Sequence, residues 1–262
     1  MNTLSSSSPE VLLESTGGVL RIELRRPEKK NALTTGMYGA LAQALEAADH
    51  TPGVRVILLH GQPEVFTSGN DLSDFLQDPA VDDDHVAYRF VRTLSTTAKP
   101  VVAAVNGACI GVGATLLLHC DLVYAGEGAT FAMPFVNLGL CPEAGSSLLF
   151  PLAAGHARAA ELLLLGKPFG AAKAAECGMV SEVLPDADVL RHAQERAREL
   201  AAKPPAAVRL TKALLRRGVA AQVRDTIQVE SREFQQRLGS PEAKESFAAF
   251  LEKRKSDFSR FE

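Results

Sequence analysis

The chain opens with two short β-rich runs, "VLLES" and "VLRIEL", on either side of a "TGG" turn, which predicts a β-hairpin. The period then lengthens. In "LTTGMYGALAQALEAAD" the residues Met37, Leu41, Leu45 and Ala48 recur at spacings of four, four and three, which predicts a helix with one apolar face, capped near Thr34 or Thr35. "GVRVILLHG" is a buried strand bounded by glycines. "FTSG" follows it, "NDLSDFL" opens a helix, and "DPAVDDDH" reads as a polar, acidic loop. "VAYRFVRTLSTTA" is helical, "KPVVAAVNG" is a strand entered through a proline turn, "GVGATLLLHC" is a short buried helix, and "DLVYAG" and "ATFAM" are short strands.

Past residue 150 helix follows helix. One covers about 156–165 and ends at Gly166, "AAKAAECG" is a short one, and "MVSEVL" is a last small strand. Residues 186–202, 204–217, 221–238 and 241–255 carry amphipathic helical patterns, with Pro204 and Pro241 near helix starts, where a missing N–H costs nothing. Strands alternating with helices predict an α/β fold of βαβ units with helices packed on a sheet. The boundaries expected are a disordered lead over 1–10, an α/β core over 11–200 and an all-α region over 201–262. The stripe Val223, Ile227, Phe234 and Leu238 must cover the α/β part or a partner subunit.

Composition narrows the function classes. With 262 residues, 46% hydrophobic and 23% charged, the chain can bury a sizeable core. A net charge of -3 leaves no basic footprint for nucleic acid or an anionic membrane, although Arg25, Arg26, Lys29 and Lys30 form a local cluster able to meet a phosphate. No apolar run approaches the ~18 residues of a membrane span. The cysteines at 109, 120, 141 and 177 form no CxxC pair, and the six histidines are scattered, so no metal site is expected. Sparse cysteines suit a reducing compartment, and the first residues lack the basic and apolar regions of a signal peptide, so a cytoplasmic location is expected.

Two strands end in glycine-rich turns, "VFTSGNDL" at 65–72 and "VNGACIGVGATLL" at 105–117. Glycine lets backbone take positive φ and lie close to a ligand, and a helix start presents free N–H groups. Two such turns on neighbouring strands can aim two N–H groups at one developing negative charge. Plainer roles are open for the same residues. Asp71 suits a helix N-cap, Asn70 a turn, and "GVG" close helix–strand packing. A dinucleotide site fits poorly, because Leu116 stands where the third small residue belongs and no acid follows about 20 positions on.

One carboxylate stands apart. Glu143, in "NLGLCPEAGSS", follows an apolar run and has no Lys or Arg within ten residues on either side. Pro142–Glu143 suits the first two positions of a helix, where an acid favours the dipole. A poorly solvated acid is also what a general base requires. Glu230, on the apolar stripe between Ile227 and Phe234, is a second candidate acid and reads first as a buried structural acceptor. Cys141 reads as small packing, and Lys253 as a weak anion contact.

Together the stretches "LRRPEKKNAL", "VFTSGNDLSDF", "KPVVAAVNGACIGVGATLLLHCDLVYAGEGATF", "GLCPEAGSS" and "ELLLLGKPFGAAKAAECGMVSEVLP", in this order, resemble the enoyl-CoA hydratase/isomerase (crotonase) superfamily. The resemblance runs from Leu20 into the C-terminal helices. It implies a crotonase-like spiral of ββα units with a C-terminal all-α trimerisation region, a homotrimer or a hexamer built as a dimer of trimers, and an acyl-CoA thioester in a groove. Coenzyme A then enters only as part of the substrate, with no separate cofactor. The N–H groups of Ser68 and Val112 are the implied oxyanion donors. Lys29, Ser68, Gly69, Asn70, Asp71, Leu72, Gly111 and Phe135 are the implied substrate-binding residues, with Lys29 and Lys30 near the CoA phosphates. The departures matter as much. The two glutamates with which the family's hydratases add water fall on Thr115 and Phe135 here, so neither is present. The carboxylate at Glu143 instead resembles the peroxisomal-type Δ3,Δ2-enoyl-CoA isomerase branch, in which it is the base.

Overall fold

Elements recur in β-β-α order, and from the second repeat each pair of strands is divided between two sheets. The computed structural model describes residues 4–77 and 85–261. Most of the acidic stretch expected as a loop, 78–84, lies outside the described residues. β1 (Val11–Thr16) and β2 (Val19–Leu24) form the antiparallel hairpin around the "TGG" turn. α1 (Thr35–His50) follows, with the Thr34 side chain accepting the Met37 N–H as N-cap. β3 (Val56–His60) and β4 (Val65–Thr67) lead to α2 (Leu72–Gln77) and α3 (Val86–Thr96). β5 (Val101–Val105) and β6 (Ala108–Ile110) lead to α4 (Val112–Thr115), continued as a 3-10 turn over Leu116–His119. β7 (Leu122–Gly126) and β8 (Thr130–Ala132) lead to α5 (Ser146–Ala154) and α6 (His156–Leu165). β9 (Phe169–Gly170), α7 (Ala171–Glu176) and β10 (Glu182–Leu184) complete the α/β part.

The first sheet has the order β1-β2-β3-β5-β7-β10 and is parallel from β2 onward. The second has the order β4-β6-β8-β9, with only β9 antiparallel. Because β3/β4, β5/β6 and β7/β8 each give one strand to each sheet, the chain climbs as a spiral. This is the α/β spiral of ββα units that the resemblance implies.

The central strands "VILLH" and "VVAAV" are buried along their whole length because both faces are covered. Alternate residues serve alternate faces. Ile57, Leu59, Val101, Ala103 and Val105 face the main core with α1 and α3, while Val56, Leu58, Val102 and Ala104 meet α8 (Val189–Ala202). α8 presents Ala193, Ala197 and Ala201 at four-residue spacing, and these small side chains let the helix lie close on the sheet.

α9 (Pro205–Arg217), α10 (Ala220–Leu238) and α11 (Pro241–Leu251) complete the fold. The Lys212 ammonium fastens α9 to the core, donating to the Lys99 carbonyl (2.6 Å) and to Asp121 Oδ2 (2.8 Å). α10 buries Val223, Ile227 and Phe234 of its stripe against the α/β part. The N-terminal lead departs from expectation. Leu4 packs on the core, the Ser8 carbonyl accepts the Val11 N–H (3.3 Å), and Glu10 pairs with Arg26 Nε (2.9 Å), so residues 4–10 are fastened down.

Candidate active site

The two glycine-rich turns meet where β4 and β6 end. A Cβ on Gly69 would lie 2.9 Å from the Ile110 carbonyl oxygen, and one on Gly113 would lie 2.5 Å from Thr67 Cγ2, so only glycine lets the turns come this close. Gly111 takes φ 58°, ψ -122°, a region that L side chains avoid, and this bends the chain from β6 straight into α4. Val112 is therefore the first helical residue, and its N–H has no intrahelical partner.

The first turn corrects one expectation. The Ser68 N–H donates to the Lys30 carbonyl (3.0 Å) and the Gly69 N–H to Thr67 Oγ1 (3.1 Å), so neither is available to a ligand. Beyond them the chain pairs in parallel with Leu33, whose N–H donates to the Gly69 carbonyl (2.8 Å) and whose carbonyl accepts the Asp71 N–H (2.9 Å). In extended backbone the N–H groups of neighbouring residues point to opposite sides. The Asn70 N–H thus turns away from Leu33, and among the described residues no acceptor meets it. The amide available in this turn is that of Asn70, two residues past the one expected.

Asn70 and Val112 both stand at the junction of two cavities. One is a groove of about 550 Å³, with Lys29 and Lys30 in its wall beside the apolar Phe135, Leu138, Leu140, Phe247 and Phe250. Ser68, Gly69, Asp71, Leu72 and Gly111 line it too. The Asp71 carboxylate is already committed, however. It accepts from Arg26 Nη1 (2.6 Å) and from the N–H of Ser73 (3.0 Å), the N-cap role open to it in the sequence. Phe135 is buried in the groove wall, where it offers apolar surface only.

The second cavity is a chamber of about 10 Å³, room for about one water. Tyr38, Ala87, Tyr88, Val91, Phe234 and Glu143 line it with Asn70 and Val112. Glu143 is not in a helix. α5 begins at Ser146, and Ala144 (φ 59°) and Gly145 (φ 73°) form a left-handed turn between them. Thr115 Oγ1 donates to Glu143 Oε1 (2.9 Å). His119 Nε2–H donates to the Ala144 carbonyl (2.7 Å), and burial pushes that imidazole down to about 4, so it stays neutral. Glu230, from α10, accepts the N–H groups of Gly145 and, at 2.8 Å, of Ser147.

Burial pushes the Glu143 carboxyl up to about 7. The Thr115 hydrogen bond works against that rise, and the charge of Glu230 adds to it. Glu143 in turn acts on Tyr38, whose phenol is held well above its ordinary value by burial first and by this carboxylate second. The Tyr38 hydroxyl donates to Asn70 Oδ1 and so ties α1 to the turn whose amide is free. Neither Tyr38 nor His119 was singled out in the sequence. Tyr38 adjoins the apolar position Met37, and His119 lies at the end of the apolar run "LLLH".

The chain matches the family model described as enoyl-CoA hydratase/isomerase over residues 14–260. It is 38% identical over 219 residues to enoyl-CoA delta isomerase 2 of Rattus norvegicus, a match that spans 81% of this chain and 56% of that protein's length. It is 37% identical over 249 residues to 1,2-epoxyphenylacetyl-CoA isomerase of Escherichia coli, spanning 92% of this chain and 95% of the relative. The solved structure of Pseudomonas aeruginosa OdaA is similar with a TM-score of 0.91 at 46% identity, covering 93% of this chain and 99% of that one.

Proposed function

This chain belongs to the enoyl-CoA hydratase/isomerase family, and we propose that within it the protein is a Δ3,Δ2-enoyl-CoA isomerase. One observation carries the reading. Of the carboxylates that line the groove and the chamber among the described residues, Asp71 is tied to Arg26, and Glu143 is left as a poorly solvated acid beside the Asn70 and Val112 amides. Hydration needs groups to deprotonate water and to protonate carbon, whereas a 1,3-proton shift needs one group able to do both steps on carbon.

The thioester lies in the groove with its phosphates toward Lys29 and Lys30 and its carbonyl oxygen at the two amides. Glu143 removes a proton from C2. The electrons of that C–H bond form a C1–C2 double bond, and negative charge passes to the thioester oxygen. The Asn70 and Val112 N–H groups stabilise that charge, each being worth a factor of about 10² to 10³. The charge then returns from oxygen, the C1–C2 π electrons move to form the C2–C3 double bond, and the C3–C4 π electrons take the proton from Glu143 to make the new C4–H bond. A base near 7 is stronger than an ordinary carboxylate and still ionised to a useful degree at neutral pH.

A second reading follows from the groove wall. Phe135, Phe234, Phe247 and Phe250 suit an aryl group, and the relative matched along nearly its whole length is named for an epoxyphenylacetyl thioester. The exposed Leu210, Leu214 and Leu215 on α9, with Leu251 on α11, suit burial between copies in the expected homotrimer or hexamer, which a mass measurement in solution tests.

The enzymatic test supplies 3-enoyl-CoA, 2-enoyl-CoA and 1,2-epoxyphenylacetyl-CoA separately to the wild-type chain, Glu143→Ala and Glu143→Gln. Isomerisation of the 3-enoyl thioester, lost in both variants, is the expected result. Hydration of the 2-enoyl thioester that survives both substitutions overturns the assignment.

A further inference from the structure

Glu143 stands in a turn closed locally by one hydrogen bond, from the Ser146 N–H to the Glu143 carbonyl (3.0 Å). Two successive left-handed residues, Ala144 and Gly145, separate it from α5, and a non-glycine residue in that region costs about 1–2 kcal/mol. Three further contacts hold the turn from elsewhere in the chain. Thr115 and His119 reach it from α4 and the 3-10 turn that continues it, the same segment that supplies the Val112 amide. The third contact comes from more than 80 residues further along the chain.

Glu230 is only 6% exposed, and its carboxylate accepts one amide with each oxygen, Gly145 with Oε2 and Ser147 with Oε1. A buried carboxylate without a cation beside it is expensive. Capping the start of α5 does not require one, because a local hydroxyl serves that purpose. Ser146 stands between the two amides, yet its buried Oγ has no partner among the described residues. The amides are held instead by an acid reaching across from the C-terminal helices.

We propose that Glu230 is a positioning residue for Glu143: by gripping the amides of Gly145 and Ser147 from α10 it fixes the turn that aims the acid at the substrate, and so makes the C-terminal helical region part of the active site. The inference rests on the reading of Glu143 as the acid–base group. A second effect follows from the same placement. The groups facing Glu143 are Tyr38 of α1, Tyr88 of α3, Thr115 and the neutral His119, Cys141 on its own segment, and Glu230. Glu230 is the second carboxylate among them, and its charge helps keep Glu143 basic.

The test uses the full chain with Glu230→Gln, Glu230→Asp and Glu230→Ala, with Glu143→Ala alongside. Gln keeps the size but sets an NH₂ group against one of the two amides, and Asp keeps the charge one methylene further away. Expected for Glu230→Gln is a fall in kcat of about 10- to 100-fold on 3-enoyl-CoA with KM changed less than about twofold, the cost of a misaimed group. The acid limb of its pH–rate profile moves to lower pH, because a charge that raised the Glu143 pKa is gone, and Asp restores part of the rate. A folded Glu230→Gln chain with wild-type kcat and an unmoved acid limb overturns the proposal, as does a fall that lies entirely in KM. If Glu143→Ala keeps full turnover, the reading of Glu143 fails, and hydrogen exchange then judges the clamp separately. Amides 145 and 147 exchange at least about tenfold faster in Glu230→Gln while β3 and β5 are unchanged; equal exchange in wild type and variant refutes the grip itself.

Discussion

Replacing Glu143 by Gln should make this protein more stable, and more so as the pH rises. The carboxyl is pushed up to about 7 from 4.5, mainly by burial. Below about pH 4.5 the acid is protonated in both the folded and the unfolded chain and adds no penalty. Between about 4.5 and 7 the unfolded chain ionises while the folded one does not, so stability falls as the pH rises. The loss is complete above 7. A difference of 2.5 between 7 and 4.5, at about 1.36 kcal/mol per unit, amounts to about 3 kcal/mol. Glutamine keeps the oxygen that accepts from Thr115 and carries no charge, so it escapes this loss. Urea unfolding at pH 5, 6, 7 and 8, at one protein concentration, is the assay. The stability gained by Glu143→Gln should grow by about 2–3 kcal/mol from pH 5 to pH 8, a midpoint shift of about 1 M or more. A gain that stays the same at every pH would mean that Glu143 is well solvated and no stronger a base than an ordinary carboxylate.

Three further outcomes test the rest of the site. Val112→Pro removes one N–H at a first helical position, where proline fits, so kcat should fall by about 10² to 10³ while circular dichroism stays that of the wild type; a rate within threefold of wild type removes Val112 from the donor pair. Tyr38→Phe deletes the hydroxyl that holds the Asn70 side chain and should cost about 1–3 kcal/mol in unfolding, with a lower kcat and an unchanged KM, as steady-state kinetics would read. Gly113→Ala drives a Cβ to within 2.5 Å of Thr67 Cγ2 and should destabilise the fold by about 1–3 kcal/mol and separate the two turns, seen as loss of both Tm and acyl-CoA affinity.

Where apolar periodicity and turn chemistry act locally, the sequence was readable. "VILLH" and "VVAAV" are buried strands, Thr34 caps α1, and α6 ends at Gly166, as their patterns predict. The two glycine turns and the isolation of Glu143 were also legible. The identity of the amide was not. Whether Ser68 or Asn70 faces the groove is decided by a pairing with Leu33, more than 30 residues earlier, and no local signal records it. The same limit misplaced the start of α5. Pro142–Glu143 is a good helix opening by composition, but Ala144 takes a left-handed conformation that its residue type does not announce, with its carbonyl held by His119 and the amide of the next residue by Glu230. The stripe on α10 showed that Glu230 would be buried, and only the packed fold shows what it grips.

In the proposed site, negative charge is held by main chain at Asn70 and Val112. A group carried by every amino acid except proline is indifferent to nearly all codon changes at its position. A change of side chain at either site leaves its N–H in the chain, while the reaction run there is set by which few side chains supply acid around the groove. A lineage built this way can exchange one chemistry for another by moving a single carboxylate and leave the most demanding part of the machine untouched.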